Sequence, residues 1–202
     1  MPSTVHPTKN ALIEATRELL GNSARKEISS DQILIKSGIS KGSLNHHFED
    51  LEELIEAALI LRYTEWVDAS IGAITQVIRS VKSPDDVYKS LVEITKQTQD
   101  PARRSDRLFR AEVIGAAASS PRLAKNLAAE QQRLTDALAD LVRETQEKGF
   151  FHKTIDPHVL AVFIQAYTFG KVVDDFSESP MVPENWNALI DEFLKKTLIK
   201  YD

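Results

Sequence analysis

The chain has 202 residues, of which 42% are apolar and 27% charged, with seven glycines, eight prolines and no cysteine. That length can bury a real core in one or two small domains, and the composition is that of a globular protein, not a disordered or fibrous one. The absence of cysteine excludes disulfides and thiolate sites and is compatible with a reducing compartment.

The first ten residues, MPSTVHPTKN, contain no apolar core of the signal-peptide kind. No apolar run approaches the roughly 20 residues of a membrane helix, so the expectation is a soluble cytoplasmic protein with no membrane partner. The net charge of −5 taken alone weighs against nucleic-acid binding, but distribution matters more than the total. Residues 1–48 hold six cations (Lys9, Arg17, Arg25, Lys26, Lys36, Lys41) against Glu14, Glu18, Glu27 and Asp31, a balance of +2 that leaves −7 for the rest. The asymmetry permits DNA binding without demonstrating it.

Helical periodicity runs through almost the whole chain. From Lys9, Leu12, Ala15, Leu19 and Leu20 form one stripe at a period near 3.6, and Gly21-Asn22-Ser23 reads as a stop. Ser29 and Gln32 have capping-box spacing and open a second helix that Gly38 ends. Ser40 caps a short third helix, Lys41 to about His47. A long helix follows from Leu51 to about Ile78. Ser83-Pro84 starts the next, and Asp100-Pro101 breaks the chain. Phe109, Val113 and Ile114 mark another helix, ending near Ser120-Pro121. A long one runs from there through Leu123 and Leu141 to Gly149. Asp156-Pro157 opens a helix to about Phe176, and after the loop SESPMVPEN the last runs from Trp186 to Ile199. No segment reads as a sheet strand. The expected fold is all-α: an N-terminal three-helix unit over 1–50 and a helical bundle over 51–202.

Two short helices joined by a Gly-containing turn make a helix-turn-helix. Here they are Ser29–Ser37 and Lys41–His47, with Leu12, Ala15, Leu19, Ile33, Leu34, Ile39, Leu44 and Phe48 as the expected small core. Lys41, Gly42, Ser43, Asn45, His46 and His47 are then left as small or polar residues on the second helix. In such a unit that helix enters the major groove.

The run ISKGSLNHHFEDLEEL resembles the signature of the tetracycline-repressor (TetR) family, roughly V-S-K-G-T-L-Y-x-H-F-x-S-K-E-E-L. The register extends backwards without gaps through Leu12, Ala15, Leu19, Ser29, Ile33 and Gly38. The specific motif covers about a quarter of the chain; the remainder is similar in helical layout. Four positions depart: Ala24 for a Gly, Arg25 for an aromatic, Asn45 for the Tyr of the recognition helix, and Leu51 for a Lys near the phosphate backbone.

The resemblance implies a homodimeric DNA-binding regulator, a repressor more than an activator, on a pseudo-palindromic operator of double-stranded DNA. The implied contact set is Ser29, Ser30, Lys36, Ser40, Lys41, Gly42, Ser43, Asn45, His46 and His47. Lys41 is expected at a phosphate or a guanine edge, and Gly42 lets the backbone approach closely. Ser43 suits bases or phosphates. An Asn amide can pair bidentately with adenine, so Asn45 is either a base reader or a solvated side chain. His46 and His47 lie about 100° apart on a helix and cannot face one metal ion together; no metal site and no cofactor is expected.

The family likeness further implies a small-molecule effector, partly hydrophobic, bound among Trp66, Leu91, Ile94, Phe109, Glu112, Val113, Leu127, His158, Phe163 and Tyr167, any of which can equally be core. The long helix from Leu51 would transmit effector binding to the DNA-binding unit. Val162, Ala166, Gly170 and Val173, with Trp186, Leu189, Ile190 and Phe193, are the expected dimer interface. Ala166 and Gly170 are small residues four apart, which lets a facing helix come close. The rival readings are a dimeric DNA-binding protein without an effector, and an enzyme with an incidental helix-turn-helix. No catalytic constellation supports the second.

Overall fold

A computed structural model of the chain describes residues 6–21 and 25–201. Asn22, Ser23 and Ala24, and so most of the predicted stop after the first helix, lie outside the described residues. The helices are α1 Pro7–Leu20, α2 Ser30–Ser37, α3 Lys41–His47, α4 Leu51–Ser80, α5 Pro84–Gln99, α6 Arg104–Ala117, α7 Pro121–Glu147, α8 Pro157–Asp174 and α9 Pro183–Phe193. The expectation of an all-α fold is met, and proline stands in the first turn of α1, α5, α8 and α9, where its missing N–H costs no helical hydrogen bond.

Two compact units result, one drawn from Met1–Trp66 and Ala117–Leu127, the other from Val67–Ala116 and Ala128–Asp202. The helices α4 and α7 contribute residues to both.

In the first unit, Leu12, Ala15, Ile33, Leu44 and Phe48 are buried as their spacing predicts, whereas Leu19, Leu34 and Ile39 are half-buried. The core is completed by Ile28 and by Leu54, Ile55, Ala58, Leu59 and Tyr63 of α4, with Leu123 of α7. Burial of this apolar stripe stabilises helices too short to persist alone, α3 above all. The buried carboxylate of Glu56 accepts a 2.5 Å hydrogen bond from Arg122 Nε, which neutralises it. Thr16, fully buried, donates its hydroxyl to the Leu12 carbonyl at 2.8 Å.

In the second unit, Val81, Val87, Val142, Phe151, Leu160, Ile190, Leu194, Leu198 and Ile199 form one apolar cluster. The chain leaves α9 through a wider turn, Leu194–Leu198, in which Ile199 N–H donates to the Leu194 carbonyl five residues back at 2.9 Å. It then pairs with the segment after α7. Phe151 and Ile199 form an isolated antiparallel bridge, the one β-type pairing among the described residues, and it was not legible in the periodicity. The final helix is therefore shorter than Trp186–Ile199, and its last apolar residues lie in the bridge and its approach.

The ends of α5, α6 and α8 are joined by a buried ion pair. Arg107 donates twice to Asp175, Nε to Oδ2 at 2.7 Å and Nη2 to Oδ1 at 2.9 Å, while its Nη1 donates to the carbonyls of Thr98 and Asp100. Lys171 adds bonds to Asp174 and Asp175, and Asp174 in turn accepts from Met181 N–H. The Arg107 guanidinium holds the Asp175 carboxyl below its ordinary range, with Lys171 adding to the effect against the cost of burial. Bidentate geometry and a bond from each of the three guanidinium nitrogens are what make this buried pair tolerable.

Candidate nucleic-acid interface

The turn between α2 and α3 is built from local chemistry. Ser29 accepts from Gln32 N–H, and Gln32 Oε1 accepts from Ser29 N–H at 2.8 Å, the reciprocal capping box its spacing predicts. Gly38 closes α2 at φ 68°, a left-handed conformation that a side chain would strain, and its N–H donates to the Leu34 carbonyl. Ser40 then caps α3, accepting from Ser43 N–H at 3.2 Å. Leu44 and Phe48 anchor the helix inward. The buried Leu44 therefore fixes the orientation of every other residue on α3.

That orientation leaves Lys41, Gly42, Asn45 and His46 exposed, with Ser43 and His47 half-buried. Gly42 is informative because a Cβ there would meet only Ser40 Oγ at an ordinary 3.9 Å. Nothing within the unit requires glycine at a helical position where it costs about 1 kcal/mol relative to alanine. A close external approach is the remaining physical use.

The charges sort into two kinds. Arg17 pairs with Glu14 and Glu65, Arg25 with Glu52, and Lys36 with Glu18 at 2.6 Å. Lys9, Lys26 and Lys41 have no carboxylate partner among the described residues. Of the expected phosphate contacts, Lys36 is thus held in an intramolecular pair, which holds the Glu18 carboxyl below its ordinary range. Ser29 and Ser40 are occupied as caps, though both stay exposed, and Ser30 is half-buried. Arg25, Lys26, Ile28, Leu51, Glu52 and Ile55 line an open depression on this unit, so Leu51, where the family signature has Lys, packs beside cations.

Sequence reasoning missed His6 and Lys9. His6 caps α1, its Nδ1 accepting from Thr8 N–H, and its ring lies 4.9 Å from that of His47, which is 5.0 Å from His46. Lys9 sits over the Phe48 ring at 4.9 Å. Their proximity to α3 depends on how α1 packs, which no local spacing reveals. No group of three or more His, Asp or Glu able to hold a metal occurs among the described residues.

The other predicted sites divide. Of the expected effector residues, Trp66 and Leu127 belong to the first unit and the rest to the second. Phe109 and Val113 are buried, Leu91, Ile94 and Tyr167 half-buried, and Glu112 and His158 exposed. Leu91 and Tyr167 pack against the apolar cluster of the second unit. Phe163 is 40% exposed and stacks on Phe193, 5.0 Å between centroids. Polar groups that the periodicity did not single out sit nearby. Thr95 Oγ1 lies 3.3 Å from Tyr167 Oη, and burial pushes the Tyr167 phenol up. Gln99, one turn further along α5, is 6% exposed, and neither its amide N nor its O has a hydrogen-bond partner among the described residues. Arg110 is buried with its guanidinium 4.9 Å from the Phe169 ring.

Of the expected dimer residues, Val162, Ala166, Gly170, Val173 and Leu189 are exposed, Val173 at 77%. Ile190 instead belongs to the buried cluster, and Trp186 and Phe193 are half-buried against it. Val159 and Phe163 extend the exposed stripe along α8, and Phe176 stands exposed just beyond it.

No family model matches the chain. The HTH-type transcriptional regulator UidR of Escherichia coli K12 is 24% identical over 174 residues, 86% of this chain and 84% of UidR. Among solved structures, a TetR-family transcriptional regulator from Cytophaga hutchinsonii superposes with a TM-score of 0.68 at 16% identity, covering 96% of each chain. GusR of Salmonella enterica does so at 0.63 and 22% identity, covering 98% of each. These structural likenesses establish the fold. The fold is thus the one shared with TetR-family regulators, and over 86% of its length the chain, with the helix-turn-helix built by Ser29–Phe48, is similar in sequence to an HTH-type transcriptional regulator.

Proposed function

We propose that the protein is a homodimeric repressor that binds a pseudo-palindromic operator in double-stranded DNA through α3 and leaves it when a small molecule binds the second unit. The observation that carries this reading is the polar, exposed face of α3, on which Lys41, Gly42 and Asn45 have no side-chain ties among the described residues and Leu44 fixes their direction. Phosphates position such a helix and base edges specify its sequence. Lys41 takes the first role and Asn45 the second.

Dimerisation is supported by the exposed stripe Val159, Val162, Phe163, Ala166, Gly170 and Val173 on α8, with Leu189 on α9. A Cβ at Gly170 would touch nothing within 4 Å, so the glycine serves no packing within its own chain. A two-fold pair would bury this apolar surface and set two α3 helices at a fixed spacing.

For the effector, Thr95, Gln99, Arg110 and Tyr167 supply polar groups inside a largely apolar helical unit. A buried amide without partners is costly unless something bonds it. The effector is accordingly partly hydrophobic with hydrogen-bonding groups. It favours the state whose α3 helices are wrongly spaced for DNA, and releases the operator by shifting that population. The protein acts in the cytoplasm; no helix of the described residues is long and apolar enough to cross a membrane.

Selection from random duplex DNA with the purified full chain tests the reading. An enriched inverted repeat, bound by two protomers, is the expected outcome. Enrichment of no sequence, or of an asymmetric single site, would refute it.

A further inference from the structure

The histidines His46 and His47 remain only partly used by a role in base or phosphate contact. Their setting contains more. His6, capping α1, brings its ring 4.9 Å from that of His47, and the His46 ring stands 5.0 Å from it. Lys9, one turn along α1, adds a fixed positive charge beside Phe48. The acidic residues that follow His47 along the chain are Glu49, Asp50 and Glu53. The Asp50 carboxylate accepts from Glu53 N–H and lies 3.8 Å from Arg122, and that of Glu53 accepts from Glu49 N–H; the Glu49 side chain is exposed. No carboxylate forms an ion pair with His6, Lys9, His46 or His47 among the described residues. Three imidazoles and an ammonium therefore share one end of the recognition unit without a counter-ion.

This rests on the DNA-binding reading above. We propose that His47, flanked by His6, His46 and Lys9, is a proton-coupled phosphate site: it takes up a proton from solvent when a backbone phosphate of the duplex docks against the end of α3. DNA affinity then rises as the pH falls. The free protein is poised for this. Partial burial, together with the charge of Lys9 and the charge that His6 and His46 carry when protonated, holds the His47 imidazole below its ordinary value and so favours its neutral form in the unbound state. A phosphate supplies the missing negative charge and reverses that balance. The last turn of α3, whose carbonyls carry the negative end of the helix dipole, also favours a cation there. The sign follows: the proton affinity of His47 is higher in the complex than in the free protein, so binding consumes protons and strengthens towards acid.

The test measures binding of the full chain to a fluorescein-labelled duplex of about 30 base pairs, three helical turns, at constant ionic strength. Affinity is followed from about pH 8 to about pH 6, the range in which an imidazole titrates. The wild-type protein is expected to bind about tenfold tighter per pH unit for each proton taken up. His47→Gln flattens the profile. His6→Asn, which keeps a capping residue at the start of α1, moves the midpoint to higher pH by removing a repelling neighbour. In parallel, the His47 imidazole resonances of the wild-type protein are titrated with and without duplex. Their midpoint rises when DNA is added. Parallel pH profiles for wild type and His47→Gln, or an unmoved His47 midpoint, overturn the proposal while leaving DNA binding intact. Absence of duplex binding at every pH and at low salt overturns it together with the reading it rests on.

Discussion

The polar residues of α3 and those around Arg107 make opposite use of the same chemistry. Arg107 is buried, its donors aimed at Asp175, Thr98 and Asp100, and it ties together the ends of three helices. Lys41 and Asn45 are exposed, with no side-chain bond or ion pair among the described residues. A charge that holds a fold must have its partners inside, because an uncompensated buried ion costs several kcal/mol. A charge that recognises an external polyanion must be left without internal partners, because each internal bond has to be broken first. Lys36 shows the boundary between these cases: the family resemblance places it among the DNA contacts, but Glu18 already occupies it.

The contrast can be broken at either end. The largest effect is expected at Arg107→Ala, which leaves the buried Asp175 with Lys171 alone and the Thr98 and Asp100 carbonyls without their donor, and should destabilise the protein by about 3 kcal/mol. Chemical denaturation would measure it; a loss under about 1 kcal/mol would mean the pair is structurally idle. The same pair predicts an acid response. Asp175 has a lowered proton affinity in the folded state, so its contribution is complete above the unfolded carboxylate value of about 3.9 and fades as the pH falls towards the folded value. Asp175→Asn should remove that part of the acid slope and leave the stability curve flatter below about pH 4.

At the end proposed to meet DNA, Asn45→Ala should cost about 1–3 kcal/mol of discrimination at a single base position of each half-site, read by comparing operator variants. A uniform loss at every position would reassign Asn45 to the backbone. Lys41→Ala should weaken binding across all sequences and lower the salt slope by about 1, if its contact is a phosphate. The smallest effect is expected at Lys36→Ala, about 0.5 kcal/mol or less in stability, since its pair with Glu18 is exposed. A DNA-affinity loss equal to that of Lys41→Ala would show that Glu18 releases Lys36 on binding.

What the sequence determined by itself was local. Ser29 with Gln32, Gly38 and Ser40 act within a turn or two of backbone, and each took its expected place because caps and left-handed glycines need no distant partner. The apolar stripe through Leu12, Ile33, Leu44 and Phe48 likewise fixed which side of α3 faces outward. Tertiary structure alone decided the rest. Arg107 and Asp175 stand 68 residues apart and have no common motif. His6 reaches His47 only because α1 packs beside α3. Ile190 went inward and Leu189 outward on the same helix, although both looked equally apolar in the chain. Periodicity records that a helix has an apolar side. Which neighbour covers that side, and which polar groups meet across it, is settled by packing between segments remote in sequence.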